Sequence, residues 1–480
     1  MRVLRLFFFL WGISIAQTTF AQETKAFVVI DSIKLEGNKN TRHFVIIREL
    51  DIKLGDTIPL SCRDSLFISN RNRILNTQLF HTAELCLQYK DSLRANLLVK
   101  VRERWYIFPN IIFELADRNF NEWWYNRNHD LRRTNYGLRF THKNMWGRAE
   151  LLRLTVQSGF TRRYDFSYDI PYIDRTLKNG LSFSAAYSEN KQAAFRSGTI
   201  EPVGETRNNV LEFYPKTLDE AQQIQRTRFE SGITYTRRSK FYLSHNLEFG
   251  YRYNTISNEL ALRNPDYFLN GRTIQQYFYL AFNVTFDKRD IQAYPLNGDI
   301  FSFNASRLGL RKSDDIDIFS VSANYAMYRP LGKKYYWSAG LQARYSTPGL
   351  QPYANFRAMG FGLTYVRGYD LYVIDGNHFG LAKFTLKREI IKFEKSFPKL
   401  IPIPEFQTIP FNIYLKTYFD TGYVVDQTNN VYNSRLANRW IYGGGGGIDI
   451  VTFYNLVIGL DYTVNRENER RFFFRLTRDI

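Results

Sequence analysis

Histidine, cysteine, serine and carboxylate side chains are where enzymatic or metal chemistry would begin, and this chain spaces them for neither. Its six histidines, His43, His81, His129, His142, His245 and His378, are scattered, with no pair at the short separations that close a metal site. No nucleophile stands in a recognisable arrangement with a base. The run Gly443 to Gly447 is rich enough in glycine for phosphate binding, yet no Lys-Ser/Thr follows it. It lies in a strand-like segment, where glycine permits bending or the close approach of a neighbour. Neither an enzyme nor a cofactor is expected. The only cysteines are Cys62 and Cys86. An oxidising compartment would permit a bridge between them. Against it, the alternation that puts Ala83, Leu85 and Leu87 on one face turns Cys86 to the other.

The elements that must position any working residues begin with a leader. Arg2 and Arg5, the apolar run Phe7 to Ala16, and small residues at Thr19 and Ala21 make residues 1–21 a secretory signal peptide, cut after Ala21. That run is about half of the roughly 20 apolar residues that a membrane-spanning helix needs. Nothing later matches it, and the mean hydropathy is −0.37, which excludes a helical membrane protein. Aromatic residues make up 17% of the chain, with 40 Phe, 33 Tyr and 7 Trp. A soluble core needs far fewer, whereas aromatic girdles at two membrane interfaces would use them. The net charge of +19 includes the two leader arginines. Such a balance can serve nucleic acid, but a secreted chain does not meet it, and lipid head groups or a charged lumen fit better.

Residues 27–104 read as a small α+β domain of order strand, helix, helix, strand, strand. Ile33 and Leu35 alternate with Lys34 and Glu36 up to the turn at Gly37 and Asn38. Thr41 is placed to cap a helix with Phe44 and Ile47 on its apolar face. A second helix runs from Asp64 to Leu79, with Phe67, Ile68, Ile74 and Leu75 along one side. The last strand turns Leu97, Val99 and Val101 inward and Lys100 and Arg102 outward. Ile33-Lys-Leu-Glu-Gly-Asn-Lys-Asn-Thr41, Ile74-Leu-Asn-Thr-Gln-Leu-Phe80 and Val99-Lys-Val-Arg-Glu103 together resemble a POTRA domain, with Gln78 where relatives usually carry glycine.

From Trp105 to Ile480 the period is two. Tyr335, Trp337, Ala339, Leu341, Ala343 and Tyr345 alternate with Tyr336, Ser338, Gly340, Gln342, Arg344 and Ser346, and Leu456 to Val464 repeat the pattern. About sixteen such segments can be counted, the even number a bacterial barrel prefers, so residues 105–480 are expected to form an all-β, antiparallel transmembrane barrel. Connections alternate in length. Short turns include Asn144 to Gly147, Arg237 to Lys240 and Phe453-Tyr454-Asn455, while the insertions 190–223 and 348–377 both fall at the opposite end. With the small domain in the periplasm, those insertions are extracellular. The segment Ile391 to Ile409, with Pro398, Pro402 and Pro404, fits badly as a long periplasmic connection.

Val366-Arg367-Gly368-Tyr369, preceded by Asn355-Phe-Arg-Ala-Met-Gly-Phe361, resembles the signature loop of the superfamily that contains BamA, TamA and the two-partner-secretion transporters. Tyr418-Phe419-Asp420-Thr421-Gly422 is similar to its Phe-x-Asp-x-Gly strand, and Asp287-Lys-Arg-Asp290 and Tyr168-Asp-Ile-Pro-Tyr172 widen the match to nearly the whole mature chain. Alternation with Phe411, Ile413, Leu415 and Phe419 leaves Lys416, Asp420 and Gly422 facing the lumen. The resemblance implies that the loop folds back into the barrel and that Arg367 pairs with Asp420, with Gly368 giving a tight turn and Gly422 leaving room for the loop. It also makes Phe472, Phe474 and Leu476 the seam strand, although the chain ends Arg478-Asp479-Ile480 and not on an aromatic residue.

By that resemblance the chain would help insert or translocate polypeptides at the bacterial outer membrane. Its POTRA domain would pair with clients by strand addition and its seam would open. The implied partners are outer-membrane lipids, unfolded or secreted polypeptides and a periplasmic or lipoprotein partner. A pore for small solutes or one dedicated partner, and a membrane anchor for a periplasmic protein, are the competing readings.

Overall fold

The computed structural model describes residues 27–117, 120–126, 128–174, 176–196, 216–219, 223–396, 408–428, 434–452 and 456–477. The leader, most of the insertion 190–223, the turn Phe453-Tyr454-Asn455, Pro398, Pro402, Pro404 and Arg478-Asp479-Ile480 lie outside the described residues.

Strands β1 (Phe27–Glu36), β2 (Thr57–Pro59), β3 (Phe80–Tyr89) and β4 (Arg94–Glu103) form one sheet in the order β2-β1-β4-β3, with β1 and β4 parallel. Helices α1 (His43–Ile47) and α2 (Arg63–Asn76) pack on it over a core that includes Val28, Ile30, Ile46, Ile74, Phe80, Leu97 and Val99. Ile68 does not join that core and is 54% exposed. At 3.6 residues per turn it lies across the helix from Asn70, which is buried, accepts from the Asp51 amide and donates to the Leu66 carbonyl. Thr41 does not cap α1, whose N-cap position is Arg42 with no side-chain bond. Its hydroxyl instead lies 2.9 Å from the Tyr106 hydroxyl and accepts from Asn144 Nδ2 at 2.9 Å. Cys62 and Cys86 are both free and exposed.

Among the described residues after Trp105, two short two-stranded pairs, Gln192–Arg196 with Lys216–Asp219 and Arg357–Met359 with Ile374–Asp375, lie outside one antiparallel sheet of sixteen strands that follow one another in sequence order. They are β5 (Ile107–Leu115), β6 (Thr134–Met145), β7 (Glu150–Gly159), β8 (Thr161–Ile170), β9 (Asn179–Asn190), β10 (Arg226–Lys240), β11 (Leu243–Ile256), β12 (Ile274–Asp287), β13 (Gly298–Leu308), β14 (Ile318–Pro330), β15 (Tyr335–Thr347), β16 (His378–Ser396), β17 (Thr408–Val425), β18 (Trp440–Thr452), β19 (Leu456–Asn465) and β20 (Arg470–Thr477). Large apolar side chains at alternate positions, such as Leu280 and Phe282, Phe384 and Leu386, or Leu415 and Phe419, are exposed on the outer face. Water would penalise that surface and hydrocarbon does not. Strands β5 and β20 stand at the two ends of the sheet order, with no ladder between them among the described residues.

The segment Ile391 to Ile409, expected as a connection, is strand at both its ends. β16 and β17 keep pairing from Ile391 with Ile413 to Ser396 with Thr408. Pro410 hides this in the sequence, and it is tolerated because, among the described residues, the ladder of β17 with β18 goes no further than Asn412.

The small domain docks on the turns at one rim of the sheet. Arg238 donates two bonds to Glu49, at 2.5 and 2.8 Å, and the Arg42 amide donates to the Gly147 carbonyl at 2.9 Å. Phe44 meets Tyr172 edge-on with ring centres 5.3 Å apart.

Candidate functional site

The connection between β15 and β16 turns back along the inner wall. Arg357 pairs with Asp375 and Met359 with Ile374 in a short hairpin. Met359, Val366, Tyr369, Tyr372 and Ile374 then form one buried cluster with Leu381 of β16, Val424 of β17 and Ile441 of β18. Burying these side chains removes most of their apolar surface from water, at roughly 25 cal/mol per Å².

Arg367 lies at the centre of this contact. Its Nε donates to Asp420 Oδ2 at 2.7 Å, Nη2 to Oδ1 at 2.5 Å, and its backbone amide to Oδ2 at 3.1 Å. Nη2 also reaches Thr385 Oγ1 at 2.9 Å, and the guanidinium lies 4.0 Å from the centre of the Tyr418 ring. Asp420 has no exposed surface. A planar guanidinium meeting a carboxylate with two parallel bonds is the geometry that offsets the cost of burying both charges. Gly368 has φ +98°, and a side chain there would press into Thr463 and Asn465. The Arg367 carbonyl backs onto Gly443, where a Cβ would lie 2.1 Å from it. One glycine of the run 443–447 therefore admits the loop backbone against the wall. Gly422 faces Met359 and Val366, and Tyr369 packs beside Tyr372 with ring centres 5.5 Å apart. Phe419 is not brought to this site; it is half exposed on the outer face, near Tyr442.

The inner wall also carries charges whose partners sequence reasoning missed. Asp370, three residues after Arg367, accepts from Arg475 of β20 at 2.8 Å. Arg475 also contacts Asp461 of β19, and Asp461 lies 2.8 Å from Lys416 of β17, which reaches Asp449 of β18 at 2.6 Å. Tyr294 donates to Asp449 at 2.9 Å. Tyr372 donates to Glu469 at 2.6 Å, and Asn465 to the Gly368 carbonyl at 3.0 Å. Alternation with Phe472, Phe474 and Leu476 turns Arg475 inward, so its direction was legible and its partner was not. A cavity of ≈ 480 Å³ beside the loop is lined in part by Arg289, Tyr294, Tyr365, Lys383 and Lys387. Among the described residues, no three His, Cys, Asp or Glu side chains converge to hold a metal ion.

On β20, Phe472, Phe474 and Leu476 face outward. A helix in the connection between β5 and β6, α3 (Phe120–Asn126), lies against them. Phe120 meets Phe474 with ring centres 5.6 Å apart, and the Tyr125 hydroxyl donates to the Phe472 carbonyl at 3.3 Å.

Residues 144–477 match the Omp85 superfamily domain, well over half of the chain. The chain belongs to the Omp85 superfamily. Among solved structures, this Omp85 protein is similar to BamA from Haemophilus ducreyi lacking POTRA domains 1–3, with a TM-score of 0.51 and 14% identity over 94% of this chain and 85% of that one. CdiB from Acinetobacter baumannii gives 0.50 and 14% over 94% and 73%. At such identity the likeness speaks for the fold. A search of curated proteins gives no match. Membership places the chain among bacterial outer-membrane barrels of the kind that inserts or secretes polypeptides.

Proposed function

We propose that this Omp85 barrel inserts polypeptides into the outer membrane or moves them across it, with its POTRA domain in the periplasm and the Arg367–Asp420 pair locking the signature loop inside. The supporting observation is the bidentate contact of Arg367 with Asp420 on a loop whose apolar residues pack against the inner wall. Val366, Gly368, Tyr369 and Gly422 complete the lock. Strand edges that carry no further ladder among the described residues give a client somewhere to pair. One is β3 at the border of the POTRA sheet, and another is the seam between β5 and β20, where Phe472, Phe474 and Leu476 lie. Pairing of this kind uses backbone groups and needs no cofactor.

A charge-exchange series tests the reading: Arg367→Asp, Asp420→Arg and the double exchange, scored for folded barrel and for the levels of other outer-membrane and surface proteins. Each single exchange removes the buried pair and sets two like charges against each other, at a cost of at least roughly 3–5 kcal/mol, and is expected to fail, with recovery in the double. If all three behave like the parent, the lock is wrong and a plain pore becomes the better reading. A folded parent barrel whose depletion changes no other surface protein removes the assembly reading itself.

A further inference from the structure

β16 and β17 outrun their neighbours. Among the described residues, β15 pairs with β16 no further than Arg388 and β18 with β17 no further than Asn412, yet β16 and β17 stay paired to each other as far as Ser396 and Thr408. The result is a two-stranded ribbon standing beyond the rim on the side of the small domain, roughly 20 Å long at about 3.3 Å per residue. An isolated ribbon of two strands is marginal in water and needs a surface to lie on.

A bulge at its root decides what the ribbon offers. Up to Glu389, which pairs with Tyr414, the odd-numbered residues of β16 face the lumen, as Lys383 beside buried Asp420 demonstrates. The register then shifts between Glu389 and Ile391, so that Ile391 pairs with Ile413 and Phe393 with Phe411. Ile413 lies on the outward face of β17, opposite to Tyr414 and Lys416. The extra residue therefore moves Ile391 and Phe393 onto the face that carries Phe384 and Leu386 lower on the strand. Without it they would point toward the lumen. Ile391 and Phe393 are 44% and 45% exposed, and Phe393 stacks on Phe411 with ring centres 5.3 Å apart. The opposite face holds Lys392, Glu394 and Ser396. On the outward face Arg388 and Lys395 bracket the apolar patch with positive charge.

We propose that this ribbon is a membrane-contacting blade, whose Ile391, Phe393 and Phe411 face lies in the head-group region of the leaflet on the side of the small domain, with Arg388 and Lys395 meeting phosphate. The occupant is phospholipid because Leu415, Ile413 and Phe411 of β17 carry the lipid-facing surface of the barrel into the patch, and because aromatic residues flanked by cations are what an interface of anionic head groups retains. The inference rests on the barrel's placement in a membrane and not on polypeptide transport.

The test attaches a nitroxide at 392, 393, 394 and 411, one at a time through cysteine, in the full chain with Cys62→Ser and Cys86→Ser, reconstituted into vesicles containing phosphatidylglycerol. Power saturation compares collision with oxygen, which concentrates in lipid, and with a water-soluble nickel chelate. A label at Leu341 on the outer face controls for barrel insertion. The ratio of oxygen to nickel accessibility should be several-fold higher at 393 and 411 than at 392 and 394. Equal nickel access on both faces, with the 341 control in lipid, would overturn the blade while leaving the barrel in place. Exclusion of both reagents at 393 and 411 would also overturn it, since the occupant would then be protein.

Discussion

Asp370 in the inward loop and Arg475 in the last strand are joined across a 2.8 Å ion pair. Two ion pairs thereby hold the loop, besides its neutral bonds: Arg367 fixes it to β17, and Asp370 fixes it to the strand that borders the seam. A strand at an open edge is normally the most mobile in its sheet. Here its inner face is tied to the interior.

Arg475→Met should lower the heat stability of the folded barrel, because it removes the counter-charge of Asp370 and leaves Asp461 with Lys416 alone, and breaking a buried pair costs roughly 3–5 kcal/mol. Asp370→Asn should cost less, since Asp461 still contacts Arg475. In the double variant the effects should fall short of their sum. The measurement is the temperature at which the barrel loses its fast gel mobility, and additive losses would mean that the two residues do not act together.

Gly443→Ala and Gly446→Ala form a matched pair within one glycine run. A Cβ at 443 would lie 2.1 Å from the Arg367 carbonyl, while at 446 its nearest neighbour is the Lys416 carbonyl at 3.4 Å. The first should destabilise by about 1–3 kcal/mol or unseat the loop. The second should behave almost like the parent. Protease access to residues 361–369 separates an unseated loop from a general loss of fold.

Glu49→Gln should loosen the small domain from the rim, since it removes the charge that receives both Arg238 bonds. A loss of about 1.5–3 kcal/mol is expected for a bond to a charged group. Cross-linking yield between residues 42 and 147, placed close by the Arg42 amide and the Gly147 carbonyl, reads the docked fraction directly. An unchanged yield would assign docking to Phe44 and Tyr172 instead.

Alkaline pH should undock the same domain. Burial pushes the Tyr172 phenol upward, and Tyr106 likewise, where it meets the Thr41 hydroxyl. A raised value in the folded state means that the contribution is complete below the unfolded value of about 10 and is lost as pH rises through the folded one. In a tyrosinate absorbance titration, the phenols removed by Tyr172→Phe and Tyr106→Phe should be among the last to ionise. Ionisation of both with the free tyrosines near pH 10 would contradict the burial argument.

The strands were legible because a membrane wall enforces strict alternation: Leu415 and Phe419 must meet lipid, so Lys416 and Asp420 could only point inward. The two motif segments were legible through their resemblance to relatives. What stayed hidden has physical reasons. Ile68 keeps the spacing of the apolar stripe of α2, but the sequence does not reveal that Asn70 is satisfied by the Asp51 backbone. The bulge at Ile390 inverts the phase of a strand with no glycine to announce it. Asp370, one of the two carboxylates that Arg475 meets, lies 105 positions away, and no local pattern reports a contact at that range.

The contact of α3 with β20 bears on how the chain comes together. Tyr125 and the Phe472 carbonyl are 347 positions apart, so closing them spans nearly the whole barrel sequence. Neighbouring hairpins form from short loops, whereas this contact must await the final strand. Long-range closures are slow because the chain entropy is lost before the contact returns anything. The circular wall is therefore expected to close last. Among the described residues its closing junction carries the Tyr125 bond to the Phe472 carbonyl and the contact of Phe120 with Phe474, where every other junction has a backbone ladder.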